Sequence, residues 1–440
     1  MIVRARTVVT MDGAPIENGA VRVRGNRILQ TGRFYDLEKL PSSFDEEENE
    51  NEDEAIVDLG ESVLLPGLIN AHCHLDYTCL RGKIRCGSSF TEWIRAINSE
   101  KRKLSTDDYL RSIADGFSEA QRFGTTSVVN LAAFPELIAR LEPPPIQTWW
   151  CAELIDVTAP EKVAEIVSTA VATLKAASNN GAAFGLAPHA PFTASARLYR
   201  ACAEIAAREK FLLTTHLAES GEEMEMFRRS SGPLFDFLHS IGRPVDDCGD
   251  ETPLAVFLEK LQGTESQSTS AGIAPKSSSP QWIIAHLNEL IETDFDLLSR
   301  LREKFSIAHC PRSHAYFGHR AFAFERLQDL GFNICLGTDS LASNEDLSLF
   351  REMREFKRVH PHIRPERITE MVTVNSAKAL GAGDRLGKLR AGYQADMIAI
   401  PPGKRGIYEG IVDFDGDVSW MMAGGEVTKF SRFPLFFSQT

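Results

Sequence analysis

Eight short apolar runs, spread through the middle of the chain and separated by helical stretches, constrain the fold more than any other feature. They are 63–72 (VLLPGLINAH), 125–133 (TTSVVNLAA), 147–155 (QTWWCAELI), 182–190 (AAFGLAPHA), 212–219 (LLTTHLAE), 281–287 (QWIIAHL), 305–310 (FSIAHC) and 332–339 (FNICLGTD). The stretches between them have helical apolar spacing, and one opens with Ser105 or Thr106 as a candidate N-cap. Apolar strands alternating with helices imply a parallel sheet covered on both faces. Eight such units predict an α/β fold, a (β/α)8 TIM-like barrel over residues 63–382. A doubly wound open sheet is the rival topology, but no glycine-rich fingerprint follows the first strand.

The two ends differ from this middle. Residues 1–62 contain alternating apolar runs with turn signals at Asp12-Gly13 and Gly25-Asn26. Residues 383–440 contain the apolar run 397–400 and a Gly424-Gly425 turn. Barrel termini lie close together, so the two ends are expected to pair as one small discontinuous β-sandwich domain.

Composition narrows the function classes. The net charge is −13, but eight acids lie in 45–54 (DEEENENEDE), which leaves about −5 elsewhere. That run is expected to be a solvated loop tip. With no basic stripe, nucleic acid is not an expected partner. No apolar run approaches the roughly 20 residues of a membrane span, and the N-terminus is too polar for a secretory signal. Eight scattered cysteines without a CxxC pair suggest reduced thiols and a cytoplasmic enzyme, alone or as a homo-oligomer, acting on a small molecule. The polar stretch 263–280 is expected to be a dispensable excursion, because it lacks apolar residues to bury.

The ends of the runs carry the chemistry. All strands of a parallel barrel finish at one face, so residues at their C-terminal ends converge. The first run ends in His72-Cys73-His74, whose imidazoles share a side of the strand. The fifth ends in His216, with Glu219 three residues on; the sixth in His286, the seventh in His309 and the eighth in Asp339. One histidine at a strand end is ordinarily a polar cap or a packing residue. Several, at consecutive strand ends in barrel order, make a nitrogen- and oxygen-rich site suited to zinc or ferrous iron. A divalent metal there would bring water to deprotonation near neutral pH, and Glu219 is close enough in sequence to handle protons.

These motifs resemble the amidohydrolase superfamily, in its cytosine deaminase and chlorohydrolase-like branch. Pro66-Gly67-Leu68-Ile69-Asn70-Ala71-His72-Cys73-His74 looks like the opening PG(L/F)xxxHxH. His216-Leu217-Ala218-Glu219 resembles HxxE, Pro188–Thr193 the HAPYT segment, His309–Ser313 the HxPxS motif, and Gly337–Ser340 the strand-eight signature. Asn375–Leu380, followed by 387–396, resembles the return into the small domain. The resemblance implies one divalent metal, zinc with ferrous iron as the alternative, held by His72, His74, His216 and Asp339. It implies Glu219 as the proton shuttle, His286 as the group orienting the water or tetrahedral species, and Asp339 as acceptor of the water's proton. It also implies His189 as a substrate contact. Two-metal members carry a bridging carboxylated lysine on strand four; the stretch 147–153, taken as that strand, has none. His314 stands where HxPxS is commonly followed by Asn.

Within the branch, the segment after the first ligands is similar to aminodeoxyfutalosine deaminases and, less closely, to adenosine and S-adenosylhomocysteine deaminases. Phe90 and Trp93 there could cover a flat heterocycle, although their i, i+3 spacing equally suits a core pair. The expected reaction is deamination of an aminopurine. The alternatives are hydrolysis of a C–N or C–Cl bond in an s-triazine or N-acyl compound at the same site, or a silent binding protein, against which the complete ligand set argues.

Overall fold

A computed structural model describes residues 1–39, 55–85, 87, 89–177, 183–262 and 280–428. The acidic run 45–54, nearly all of 263–280, and Cys86 lie outside the described residues. The N-terminal strands are β1 (Ile2–Val8), β2 (Ile16–Arg24), β3 (Arg27–Arg33), β4 (Ile56–Asp58) and β5 (Val63–Pro66). The next group comprises β6 (Leu68–His74), β7 (Thr125–Ala132), β8 (Gln147–Leu154), β9 (Ala183–Pro188), β10 (Leu212–Leu217), β11 (Trp282–His286), β12 (Ser306–His309), β13 (Asn333–Leu336) and β14 (Asp339–Ser340). Last come β15 (Met397–Ile400), β16 (Trp420–Ala423) and β17 (Glu426–Val427).

The middle group forms one parallel sheet of order β13-β12-β11-β10-β9-β8-β7-β6-β14. β13 and β14 are separated only by Gly337 and Thr338, so the eighth apolar run supplies both edges and the sheet closes on itself. This is the expected eight-unit barrel, with its last strand split in two. β6 and β7 are buried along their whole length, as strands covered on both faces must be. Ile69, Ala71, Val129, Trp149, Cys151, Ala187, Ile283 and Ala308 cluster in the barrel interior. Residues of the opposite parity, such as Val128, Trp150, Ile284 and Ile307, pack in the larger cluster shared with the helices. Ser105 caps the helix Thr106–Arg122: its Oγ accepts from Asp108 N, and the Asp108 carboxylate accepts from Ser105 N.

One strand assignment needs correction. Gln147–Leu154, taken as strand four, is the third barrel strand, between β7 and β9. The fourth is β9, whose sequence AFGLAP likewise has no lysine.

The two chain ends pair with each other, as expected. They share a second sheet of order β17-β16-β15-β5-β1-β2-β3, with β4 on β1. Two-residue turns close its hairpins at Gly25-Asn26 and Gly424-Gly425, where Gly25, Gly424 and Gly425 have positive φ. The chain passes from this sheet into the barrel at Gly67. A Cβ there would lie 2.2 Å from Thr126 Cγ2, which explains the glycine of the Pro66-Gly67 pair. The C-terminal region is not all strand: Ile407–Asp413 is a helix that buries Ile411 and Val412 against the barrel's Leu349–Val359 helix, with Phe350 and Phe414 edge to face. Among the described residues, no helix is long and apolar enough to cross a membrane, and all seven cysteines are free.

Candidate active site

Backbone irregularities at the C-terminal rim aim the histidines inward. β6 pairs with β7 with a register shift between Asn70 and Cys73, so Ile69 belongs to the interior cluster while Cys73 packs outside. Such an irregularity re-aims side chains, and it sends both His72 and His74 into the barrel mouth. His286 has the parity of the outward-packing Ile284, but its φ of 72° ends the alternation. Asp339 (φ 57°) and Ala218 (φ 49°), next to Glu219, adopt the same uncommon region. Strain of about 1–3 kcal/mol per such residue is tolerated where a site needs it.

The result is a buried cluster. His72, His74 and His216 offer ligand atoms all within 4.8 Å of one another, as do His72, His286 and Asp339. His74 Nε2 lies 3.3 Å from His216 Nε2, and Asp339 Oδ1 lies 3.7 and 3.8 Å from the Nε2 atoms of His72 and His74. His216 Nδ1 is 2.9 Å from the backbone oxygen of His189, a contact that leaves Nε2 free to ligate. Burial pushes the imidazoles toward neutrality: His216 and His189 fall to about 3, and His74 and His286 well below their ordinary value. Burial opposes the Asp339 charge, but the surrounding imidazoles of His72, His286 and His74 outweigh it and hold the carboxyl well below the usual range.

These residues fit a divalent cation. Both ring nitrogens of His72, and Nδ1 of His74, are buried without a hydrogen-bond partner. Buried polar atoms are seldom left so. A neutral nitrogen cluster facing one carboxylate oxygen is the donor set of a zinc or ferrous site.

The support behind Asp339 was not assigned from the sequence. Ser313 Oγ donates to Asp339 Oδ2 at 2.6 Å, and Ser343 Oγ approaches it at 3.2 Å. Gly337 permits the close approach of strand eight, because a Cβ there would lie 2.7 Å from the His72 carbonyl oxygen. Ser313→Ala is expected to weaken metal binding about 10- to 100-fold by loosening Asp339, as measured by competition with a chelator. Unchanged affinity would show that Ser313 does not orient the ligand.

Glu219 is buried, with Oε1 3.7 Å from His286 Nε2. Burial, then the charges of Asp339 and Glu223, push its carboxyl well above the ordinary range. Its turn is fixed from behind: Glu223 accepts from Glu219 N at 2.8 Å, and Asn288 Nδ2 donates to the Glu219 carbonyl at 3.1 Å.

A cavity of about 250 Å³ opens above this cluster, reached by His74, His216, Glu219, His286 and Asp339. His189 lines it, held by a 2.7 Å contact between Nδ1 and Thr193 Oγ1. Phe90 and Trp93 line it too. They lie stacked at 5.9 Å with Phe317 edge-on to both, so they serve as a wall and as a packed cluster at once. His309 is not brought to the site. It shares the parity of Ile307 and stacks on Phe322 at 4.0 Å. His314 contacts Asn288 Oδ1 at 3.1 Å and does not line the cavity. The wall formed by the helix Pro233–Ser240, through Leu234, Phe237 and Leu238, had no signal in the sequence beyond ordinary amphipathicity.

The comparisons agree with this architecture. The family model for the amidohydrolase family matches residues 63–428. A 5-methylthioadenosine/S-adenosylhomocysteine deaminase of Pyrococcus furiosus is 29% identical over 360 residues, covering 78% of this chain and 76% of the relative. The fold is shared with Helicobacter pylori aminofutalosine deaminase in complex with methylthio-coformycin (TM-score 0.79, 20% identity, 97% of this chain and 100% of that one). It is also shared with an adenosine deaminase of Xanthomonas campestris with bound zinc (TM-score 0.75, 20% identity, 97% and 92%). A barrel with histidines and an aspartate gathered at its C-terminal rim, matched by the family model over most of its length, places this chain in the amidohydrolase family.

Proposed function

We propose that this chain hydrolytically deaminates the adenine ring of a nucleoside, with one zinc ion held by His72, His74, His216 and Asp339. The observation that carries the reading is the buried Glu219 carboxyl, beside the nitrogen cluster and open to the cavity. A divalent cation supplies a Lewis acid that readies water for attack near neutral pH. Glu219, its carboxyl raised by burial, gives a proton to the ring nitrogen next to the amino-bearing carbon, making that carbon electrophilic. Asp339 takes a proton from the attacking water. His286, with Nε2 free of any hydrogen bond among the described residues, holds the oxygen that adds to the ring. The carboxylate left on Glu219 then takes the proton of the added hydroxyl and passes it to the amine, so the C–N bond breaks as the carbonyl forms. The proton held by Asp339 returns to Glu219, and the sum is water and the aminopurine going to the oxopurine and ammonia. His189 contacts the substrate, and Phe90 and Trp93 cover the flat ring. A hydrolase of linear amides has no ring nitrogen to protonate, and this favours a heterocycle over an N-acyl compound.

The test is ammonia release from adenosine, 5-methylthioadenosine, S-adenosylhomocysteine and aminodeoxyfutalosine, followed also by loss of adenine absorbance. Inactivity on all four, with hydrolysis of an s-triazine or N-acyl compound, would overturn the substrate class and leave the barrel and metal cluster standing.

A further inference from the structure

The cavity holds a carboxylate that the reaction does not use. Glu153 lies near the C-terminal end of β8, paired across to Ala187, and lines the cavity. It has the parity of Trp149 and Cys151, which belong to the barrel interior, so it faces the mouth of the barrel. It is half-buried, and among the described residues its carboxylate makes no hydrogen bond and no ion pair. Tyr77 lines the same cavity. Its ring stacks on His74 at 5.7 Å, and its hydroxyl is buried without a hydrogen-bond partner. A carboxylate left unpartnered in the cavity, walled by the Tyr77 ring, calls for a ligand that brings hydroxyls or amines to it.

Position selects the ligand group. His216 on the fifth barrel strand belongs to the nitrogen cluster, His189 follows on the fourth, and Glu153 on the third. Strands are spaced about 4.8 Å apart, which puts Glu153 roughly 10 Å round the rim from the metal ligands. A purine whose amino-bearing carbon lies at the cluster, with its ring along His189, carries its sugar into that third position. An ionised carboxylate only accepts, and its two oxygens match two adjacent hydroxyl donors.

Resting on the reading above, we propose that Glu153 accepts hydrogen bonds from the 2′- and 3′-hydroxyls of the substrate's ribose, and so selects ribonucleosides. The assignment gives Glu153 a role in binding and none in the bond-making steps.

The experiment compares kcat/KM for the adenine ribonucleoside turned over fastest with that for its 2′,3′-dideoxy counterpart, in the wild type, Glu153→Gln and Glu153→Ala. Each charge-assisted hydrogen bond is worth about ten- to a hundredfold. The wild type is therefore expected to prefer the ribonucleoside by at least about tenfold, and Glu153→Ala to collapse that preference to near unity. Glu153→Gln, which retains one acceptor oxygen and the side-chain volume, is expected to fall between. The half-buried, unpartnered position makes both variants foldable, and a circular dichroism melt checks it. An unchanged preference in Glu153→Ala, or equal losses on both substrates, would overturn the assignment while leaving deamination intact. A wild type that deaminates no adenine nucleoside would overturn the underlying reading, and this assignment with it.

Discussion

Glu219→Gln is expected to fold normally and keep its metal while kcat falls by about two to four powers of ten, the usual contribution of a positioned acid–base group. The structure separates the proton-carrying role from any structural one. The turn that presents Glu219 is held through its backbone, by Glu223 on the amide and Asn288 on the carbonyl. Neither contact involves the Glu219 side chain. Glutamine keeps the volume and can donate a hydrogen bond, but it cannot give up a proton and recover it. Burial raises the Glu219 carboxyl toward protonation, the state needed at the start of the reaction. Glu223 and Glu352 are also buried, and burial raises them to about 7 and about 8. Yet neither reaches the cavity, and each is tied up holding backbone: Glu223 at the amides of Ala218 and Glu219, Glu352 at the amide of Arg312. A raised carboxyl alone does not single out a proton shuttle here; the proposal for Glu219 rests on its opening to the cavity beside the histidine cluster. Near-normal kcat in Glu219→Gln would remove it as the shuttle. Loss of metal along with activity would show that it serves the cation site instead.

The barrel was legible because its strands are buried on both faces. That makes them continuous apolar runs, and their polar residues stand out at the ends. His72, His74, His216, His286 and Asp339 were found this way. The same rule included His309, and there strand parity decides: Ala308 faces the interior, so His309 faces the helices and stacks on Phe322. His286 has the same outward parity and escapes it only through its positive φ, a conformation that no local pattern announces. Glu153 is legible by position, since it lies near the end of an apolar run with the parity of Trp149 and Cys151, but a single carboxylate there carries no motif that marks it. Ser343 and the wall helix Pro233–Ser240 lie in connections between strands, where burial follows from tertiary packing and leaves no period in the sequence. The split of the last strand into β13 and β14 follows from Gly337, whose missing side chain lets the chain cross close over His72.

Removing the metal with a chelator is expected to abolish turnover, and one equivalent per chain to restore it. Unassisted water has a pKa of 15.7, against about 7 at a catalytic metal centre, and none of the chain's own groups near the cluster replaces that effect. The Asp339 carboxyl is held well below the usual range, and burial pushes His74, His216 and His286 toward neutrality, so none of these four offers a fixed positive charge to an adding oxygen. The same cluster predicts a readout independent of activity. Each buried polar atom left unpaired costs about 1–3 kcal/mol, and His72 alone presents two. A cation engages one nitrogen of each imidazole and so relieves part of that cost; at a hundred times its Kd it stabilises the folded chain by about 2.7 kcal/mol, so the thermal midpoint is expected to rise with added zinc. His72→Ala is expected to lose both the bound metal and the zinc-dependent rise. One equivalent is predicted because, among the described residues, the two candidate ligand groups share His72 and so overlap at one place, and β9 has no lysine to bridge a second ion. Two equivalents of tightly bound metal in the purified protein would sink the single-ion site. Full activity in the chelator-treated protein would overturn the role of metal altogether.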